Sequence, residues 1–514
     1  MQSDTPTAVS PWPALWALVL GFFMILIDTT IVSVANPSIM TGLNTDINAV
    51  IWVTSAYLLA YAVPLLITGR LGDRFGPKNL YMIGLVLFTV ASAWCGLSDS
   101  IGTLIAARVV QGLGASLMTP QTMAVITRIF PPDRRGAAMG VWGSVAGVAT
   151  LVGPILGGVL VDGFGWEWIF FVNVPVGIVA FVLAWRLVPA LTTHRHRFDW
   201  FGVALSAAGM FLLVFGLQEG ESYNWGTIVG PISVWSLIIS GIVVLGLFIV
   251  WQVFNRGEPL LPLKLFRVRN FSVANAAIVT VGFTITCMSL PLVFFFQTVR
   301  GLTPTQSALM LVPMAVLSAG LAPVVGKIID RTNPRNTAFL GLVFLAIALF
   351  WYAAILSPGV DIFWLLLPSA VLGLANACIW APLSTTVTRD LTPRDAGAGS
   401  GVYNVTRQIG AVLGSASIAV LMQARLAADL PKNPAAGSGS GGEFGALGAL
   451  PSFLHAGFTS AMAESLLLPA CVAILGAIVV LFLAKPGKVT GWDRHVPATA
   501  DVPVVSGEPA PQGT

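Results

Sequence analysis

The 514-residue sequence predicts an all-α integral membrane protein of fourteen transmembrane helices, arranged as six, an inserted pair, and six. Three observations predict it. Hydrophobic residues make up 56% of the chain and charged residues only 9%, against about 25% charged in an average soluble protein. Apolar stretches of about 20 residues, the length an α-helix needs to cross hydrocarbon, recur fourteen times. A charged string, Gly69-Arg70-Leu71-Gly72-Asp73-Arg74-Phe75-Gly76-Pro77-Lys78, is echoed about 257 residues later as Gly326-Lys327-Ile328-Ile329-Asp330-Arg331.

The crossings are expected at roughly 14–36, 51–69, 79–97, 103–126, 137–160, 168–187, 199–218, 232–254, 272–297, 305–327, 336–356, 362–386, 399–423 and 463–484, each bounded by charge, Pro or Gly. In so apolar a chain the two charged strings are expected to be water-facing turns between helices. Their recurrence implies two related halves able to move against each other, the architecture of a transporter. The offset pairs the first six crossings with the last six. It leaves the seventh and eighth, joined by a turn around Glu219-Gly220-Glu221, as the insertion. The units are therefore 1–198, 199–269 and 270–484, followed by a Pro-rich tail, 485–514, expected to be disordered.

An even number of crossings puts both termini on one side, and the basic residues choose the side. On this map 21 of the 26 Lys and Arg fall in loops and tails of one face, and only Arg300, Arg425 and Lys432 fall on the other. The positive-inside rule makes the first face, and both termini, cytoplasmic. The sequence pI near 9.0 thus reflects topology and requires no nucleic-acid partner; a polybasic surface facing lipid is the alternative. No basic residue precedes the first helix, which argues against a cleaved signal peptide. Cys95, Cys287, Cys378 and Cys471 all lie in predicted helices without metal or redox spacing and read as small core residues. The long external loop 424–462 contains Gly437-Ser438-Gly439-Ser440-Gly441-Gly442. It follows no strand and opens no helix, so its match to a dinucleotide fingerprint is chance. Walker A, nucleophile-elbow and zincin motifs are missing. No cofactor or metal is implied, and transport energy must come from an ion gradient or the solute's own gradient.

Three charges fall inside the membrane: Asp28, Arg108 and Arg407. A carboxylate such as Asp28, in the middle of the first apolar run, costs about 2.5–3.5 kcal/mol to insert and must face a wet cavity or an interhelical partner. It suits a proton carrier or an anion that attracts a cationic substrate; the bland reading is a neutralised packing residue. Arg108 shares a face with Ile105, Gln111, Gly112 and Ala115. It cannot readily release its proton, but its field acts on a nearby carboxylate; its bland role is a structural partner. Arg407 invites the same reading. Gly143-x-x-x-Gly147 and Gly153-Pro154-x-x-Gly157-Gly158 allow close helix approach and loosen the fifth crossing at Pro154. Tyr57, Tyr61, Trp142, Phe294, Phe295, Phe296, Gln297, Asn376, Trp380 and Asn404 are candidates to line a broad apolar pocket, against a background of lipid-facing and packing aromatics. Glu219, Glu221 and Asp361 read as solvated loop ends, and Glu464 as an acid at the start of the last helix.

These patterns resemble the motifs of the major facilitator superfamily. Residues 69–78 resemble its loop motif between helices 2 and 3. Arg108-Val109-Val110-Gln111-Gly112-Leu113-Gly114 resembles its helix 4 motif, and Gly147 to Gly158 its helix 5 antiporter motif. The fourteen crossings, Leu26-Ile27-Asp28-Thr29-Thr30-Ile31-Val32, Trp166-Glu167-Trp168 through Asn173-Val174-Pro175, and Asn404-x-x-Arg407-Gln408 are similar to the drug:proton antiporter branch of EmrB/QacA type. The resemblance covers about 14–484. It implies export of amphipathic, often cationic compounds across the bacterial cytoplasmic membrane, with protons as the coupled ion. Asp28, Arg108 and Arg407 would then serve coupling. Asp28, Tyr57, Tyr61, Gln111, Trp142, Phe294, Gln297, Asn376, Trp380 and Asn404 would contact substrate. Gly69, Asp73, Arg74, Gly76, Gly147, Gly153, Pro154, Gly157, Gly158, Asp330 and Arg331 would act in gating, Asp73 and Arg74 as a cytoplasmic latch. Ser33, Asn36 and Glu167 depart from the family pattern and bear on substrate identity and the external face. An exporter of the cell's own lysolipid, siderophore or secondary metabolite fits nearly as well. A receptor without transport leaves the buried charges unexplained, and a membrane enzyme lacks a nucleophile constellation. No adaptor protein is named by the sequence.

Overall fold

The computed structural model of the protein describes residues 10–45, 47–131, 134–191, 193, 199–220, 223, 225–255, 259–389, 391, 395–429 and 452–484. Helices dominate them. The first crossing is α1 (Trp12–Gly42), and the second is a broken pair, α2 (Ile47–Ala62) and α3 (Leu65–Phe75). The pair bends by 46° at Val63-Pro64, because Pro64 has no N–H to donate back along the helix. Then come α4 (Pro77–Gly96), α5 (Ile101–Ile129) and α6 (Arg135–Phe164), and α7 (Trp168–Phe171) continued by α8 (Asn173–Leu187). The inserted pair is α9 (Trp200–Gln218) and α10 (Val234–Phe254). The second half follows as α11 (Arg269–Phe294), α12 (Pro304–Leu309), α13 (Val312–Arg331), α14 (Pro334–Ile355), α15 (Ile362–Arg389), α16 (Ala396–Asp429), α17 (His455–Ser465) and α18 (Leu467–Leu481).

Twelve helical spans among the described residues are long and apolar enough to cross a membrane, and the bent pair makes thirteen. The one expected crossing left over, 137–160, corresponds to α6, which is 30 residues long but counts only through the shorter apolar stretch Val152–Phe164. Several local expectations need correction. The strings Gly69–Arg74 and Gly326–Arg331 are not turns but the last helical residues of α3 and α13. The first reversal falls at Gly76, whose φ of +91° suits glycine, with Pro77 opening α4. The inserted helices are joined by an antiparallel ribbon, β1 (Thr227–Val229) with β2 (Ile232–Ser233), rather than a bare turn. Glu219 is buried, not solvated. Glu464 lies at the end of α17 rather than at the start of a helix, and pairs with Arg425 at 2.6 Å. Cys471 is exposed on the surface of α18, unlike buried Cys95 and Cys287. The Gly437–Gly442 string, Glu221 and the tail after 484 lie outside the described residues.

The two halves meet along two seams of small residues at the basic face, the end of the bundle that carries Asp73 and the first charged string. On one seam Gly69 of α3 lies against Gly397 and Gly401 of α16; on the other Gly140 of α6 lies against Ala322 of α13, and Gly326 against Gly136. A methyl group at any of these glycines would meet the opposing backbone, so the seams close only because there is no side chain. Arg135 spans the halves as well, donating to the Thr388 carbonyl at 3.1 Å. The basic face is therefore shut.

The inserted pair sits outside this interface. Its α10 exposes Ile239, Ile242, Val243, Leu247, Ile249, Val250 and Val253, a surface that only lipid can cover. It attaches through Met210 and Val214 of α9, which pack with Leu59 of α2 and with Val405, Ile409 and Val412 of α16. Below it, Arg70 donates to the carbonyls of Pro259 (2.7 Å) and Leu260 (3.1 Å), and Lys264 pairs with Asp395 at 3.1 Å. The insertion is thus tied to both halves.

Candidate functional site

Helices satisfy their own backbone, so a polar side chain buried between them must find a side-chain partner. Asp28, fully buried in the middle of α1, finds three. Arg108 Nη1 donates to its Oδ2 at 2.6 Å, and Gln111 Nε2 (2.8 Å) and Asn173 Nδ2 (3.0 Å) donate to its Oδ1. Arg108 and Gln111 are three residues apart and share one face of α5. Asn173 reaches the same depth because it begins α8, after the break at Val172.

The partners are held in turn. Ser92 of α4 accepts from Gln111 (3.2 Å) and Asn173 (3.0 Å) and donates to the Phe170 carbonyl (3.0 Å). Arg108 Nε donates to the Val53 carbonyl at 3.2 Å, and its Nη1 also reaches Gln111 Oε1 at 2.6 Å. The guanidinium lies over the Tyr57 ring, 4.1 Å from its centroid, with Phe170 at 5.7 Å. One donor, Nη2, has no partner. A cation and two amides all point donors at Asp28, the arrangement an ionised carboxylate requires in a dry site. The network binds six helices of one half, α1, α2, α4, α5, α7 and α8, around a single buried carboxylate.

Sequence reasoning places Asp28, Arg108 and Gln111 here, with Tyr57 against the arginine. It misses Asn173 and Ser92. Asn173 was legible as an amide in an otherwise apolar crossing; Ser92 carried no signal, since small hydroxyl residues are common in membrane helices.

The other candidates are spread along the interior. Tyr61 is buried, stacks parallel to Tyr57 and donates to Thr119 at 3.3 Å. Trp142 is buried and stacked on Phe22 at 5.0 Å, its Nε1 without a partner. Trp380 donates to Asn376 one turn away at 3.1 Å and packs on Gly143 of α6. Phe294 packs against the core of the second half, and Gln297 is half-buried in the π-helical turn Phe295–Val299, where Phe295 and Phe296 are core residues. Asn404 is buried with an unsatisfied Oδ1. Arg407 stands apart from the Asp28 network and makes no ion pair or hydrogen bond with another described side chain.

The expected gating residues divide sharply. Asp73 is buried and accepts from Arg128 (2.6 Å) and from the backbone N–H groups of Gly397 (3.0 Å) and Ala398 (3.1 Å) at the start of α16. It thereby ties one half to a helix N-terminus of the other. Arg74 lies over Phe75, and Arg331 is exposed. Gly153 and Gly157 let α6 approach Thr30 and Ile31 of α1, and Gly158 lies near Thr305. Pro154 sits within α6 without ending it. Packing around Gly147 and Asp330 lies outside the described residues. Among the described residues no three His, Cys, Asp or Glu side chains gather as a metal-ligand set.

A bundle of membrane helices in two halves, closed at one face, with a buried charge network in one half, is the form of a secondary transporter. Residues 18–415 match the family model described as Major Facilitator Superfamily, and the chain belongs to that family. It is 55% identical over 474 residues to the Uncharacterized MFS-type transporter Rv1250 of Mycobacterium tuberculosis, covering 92% of this chain and 81% of that one. It is 32% identical to the Tetracenomycin C resistance and export protein of Streptomyces glaucescens, over 95% of each chain. It is 30% identical to the Multidrug export protein EmrB of Escherichia coli K12, over 78% of each chain. The last two belong to the drug:proton antiporter branch that the motifs resemble.

Proposed function

We propose that the protein is a proton-coupled antiporter that exports amphipathic drugs or other small toxic compounds across the bacterial cytoplasmic membrane, with both termini in the cytoplasm. Export is supported by the relatives, whose names describe multidrug and antibiotic export. Orientation is supported by the segregation of basic residues. Residues 1–198 rock against residues 270–484, with 199–269 linking them, and the closed basic face corresponds to a state shut toward the cytoplasm.

The observation that carries the coupling is the sealed Asp28–Arg108 pair. A proton on Asp28 removes the charge that holds Arg108 Nη1, and Arg108 is left a buried cation in need of a new partner. Such a site has two packings, one for each protonation state. Both proton and cargo then act on the same helices. A proton entering down a membrane potential supplies about 2.3 kcal/mol per 100 mV, before any pH gradient is added. In proteoliposomes Asp28→Asn is expected to abolish substrate-dependent proton flux while the protein remains folded; unchanged antiport by that variant would overturn the assignment.

The relationship to a tetracenomycin C resistance and export protein favours one form of the second reading of the cargo, a secondary metabolite of the cell itself, over a lysolipid or siderophore. Both readings share one mechanism and differ only in what enters the pocket.

A further inference from the structure

The three charges inside the membrane do not sum to zero. Asp28 is cancelled by Arg108 within the first half, at 2.6 Å and with neither side chain exposed. Arg407 is left over. It lies in the interior of α16 and only half-buried, and no carboxylate among the described residues pairs with it. An uncompensated cation in a low-dielectric site is costly and favours an anion as its next neighbour.

The packing of α16 shows which way this cation is turned. Gly410 and Gly414 press against Val279 and Phe283 of α11, while Gly397 and Gly401 press against α3. Val405, Ile409 and Val412 face the inserted pair and α2. Helical periodicity puts Ser400, Asn404, Arg407 and Ala411 on the remaining face, turned away from the inserted pair and toward the space between the halves. One turn before Arg407, Tyr403 and Asn404 are both fully buried, yet the Tyr403 hydroxyl and Asn404 Oδ1 have no hydrogen-bond partner. Buried polar atoms without partners are rare and mark a place where a partner is missing.

We propose that Arg407, with the Tyr403 hydroxyl, holds the acidic group of the cargo, so that the cargo is an organic anion, a carboxylate or phenolate carried on an aromatic frame. Arg407 supplies a planar fork of donors to the anion and Tyr403 one further donor; Asn404 Oδ1 accepts from a hydroxyl on the same molecule. Trp380, half-buried at the seam of α6 and α15, offers flat apolar surface to the ring system. Asp28, the residue that would attract a cationic cargo, is already neutralised by Arg108, and the often cationic cargo that the family resemblance implies is tested directly by the probes below.

This inference rests on the export reading for the word cargo alone, since the site can be examined by equilibrium binding with no proton gradient. The probes are 1-pyrenebutyrate, its uncharged methyl ester and the cation ethidium, titrated into full-length protein in nanodiscs. Wild type is expected to bind pyrenebutyrate more tightly than the ester by about tenfold, the size of one charge-assisted contact. Arg407→Gln is expected to erase that preference and leave ester binding within about twofold, Arg407→Lys to keep part of it, and Tyr403→Phe to lower it by about threefold. Equal binding of acid and ester by wild type, tighter binding of ethidium than of the acid, or an acid preference that survives Arg407→Gln would each overturn the proposal. Loss of proton flux in Asp28→Asn with an intact acid preference would uphold both readings; intact flux with an intact preference would remove the coupling assignment alone.

Discussion

The two halves descend from one plan, yet they place their charges differently. In the first half the intramembrane charges cancel: Asp28 and Arg108 meet at 2.6 Å, and Gln111 and Asn173, held by Ser92, satisfy the other carboxylate oxygen, with Arg108 Nη2 alone of the guanidinium nitrogens left without a partner. The first charged string is engaged as well, with Asp73 on the N-terminus of α16. In the second half Arg407 has no counter-charge, and Arg331, the counterpart of Arg74, is exposed to solvent. The two strings also differ in their glycines. Gly72 leaves room for Gln121 and Gly76 turns the chain, whereas Ile329 and Asn333 stand at the matching positions of the second copy. On the proposed function, the half whose carboxylate is neutralised would hold the exchanged proton, and the half with a surplus charge would receive the cargo.

The largest test of this asymmetry is to remove each arginine. Arg108→Ala leaves the Asp28 carboxylate buried and without its cation, and is expected to cost about 3–5 kcal/mol of stability. Arg407→Ala removes a charge that has no protein partner and is expected to leave stability unchanged or slightly raised. Thermal unfolding in detergent measures both. The double variant Asp28→Asn, Arg108→Gln is expected to recover part of the loss, because no uncompensated charge remains. Equal destabilisation by the two arginine variants would erase the distinction between the halves.

Next in size is the latch. Asp73→Ala strands the N–H groups of Gly397 and Ala398 and the Arg128 guanidinium, and is expected to disfavour the closed basic face by about 3 kcal/mol. Arg331→Ala, one residue past the matching place in the other half, is expected to change it by less than about 0.5 kcal/mol. Alkylation of a cysteine at Thr388, on a background without the four native cysteines, reports the opening. Faster labelling in the first variant and unchanged labelling in the second are expected; the reverse order would assign the latch to the second copy.

The seams sharpen the comparison, because there the halves contribute equally. A Cβ at Gly69 would stand 2.6 Å from the Gly397 carbonyl oxygen, and one at Gly326 would stand 2.6 Å from that of Gly136. Gly69→Ala and Gly326→Ala are therefore expected to weaken closure alike, by about 1–3 kcal/mol each, with the same cysteine reporter. Charge is unequal between the halves and shape is not. A seam variant that labels like wild type would mean that the backbone on that side yields.

Much of this was legible in the sequence, for identifiable reasons. Crossings announce themselves by apolar length, and Asp28 and Arg108 by the cost of any charge in that setting. The break at Pro64 has a local cause, since proline cannot donate to the turn before it, yet the charge of residues 69–78 points to a loop where the chain forms the end of α3. Asn173 was passed over because its depth depends on the junction of α7 with α8, a tertiary fact. The pairing of Asp73 with Gly397 and Ala398 joins residues more than 300 positions apart, and no local pattern encodes it. Arg407 was visible as a buried charge; that it lacked a partner was visible only once the helices were assembled.

The smallest expected effect lies outside both halves and bounds the comparison. Asp199 caps α9, accepting from Gly202 N at 2.9 Å, from Trp251 Nε1 at 2.9 Å and from Gln252 Nε2 at 2.8 Å on α10. Partial burial works against its charge, but these hydrogen bonds, with one from Asn255, outweigh it and hold the carboxyl below the usual carboxylate range. A depressed pKa in the folded state contributes stability that is present above the unfolded pKa, about 3.9, and is lost as pH falls through the folded value. The group is a third buried, so solvent screening limits the gain to less than about 1 kcal/mol. Asp199→Asn is therefore expected to lower the melting temperature slightly at pH 7, with the difference from wild type closing only below about pH 4. A gap that instead widened on acidification would mean that α9 and α10 are held together by something other than this ionised cap, such as the packing of Gly209 and Gly216 of α9 against Leu245 and Ile238 of α10.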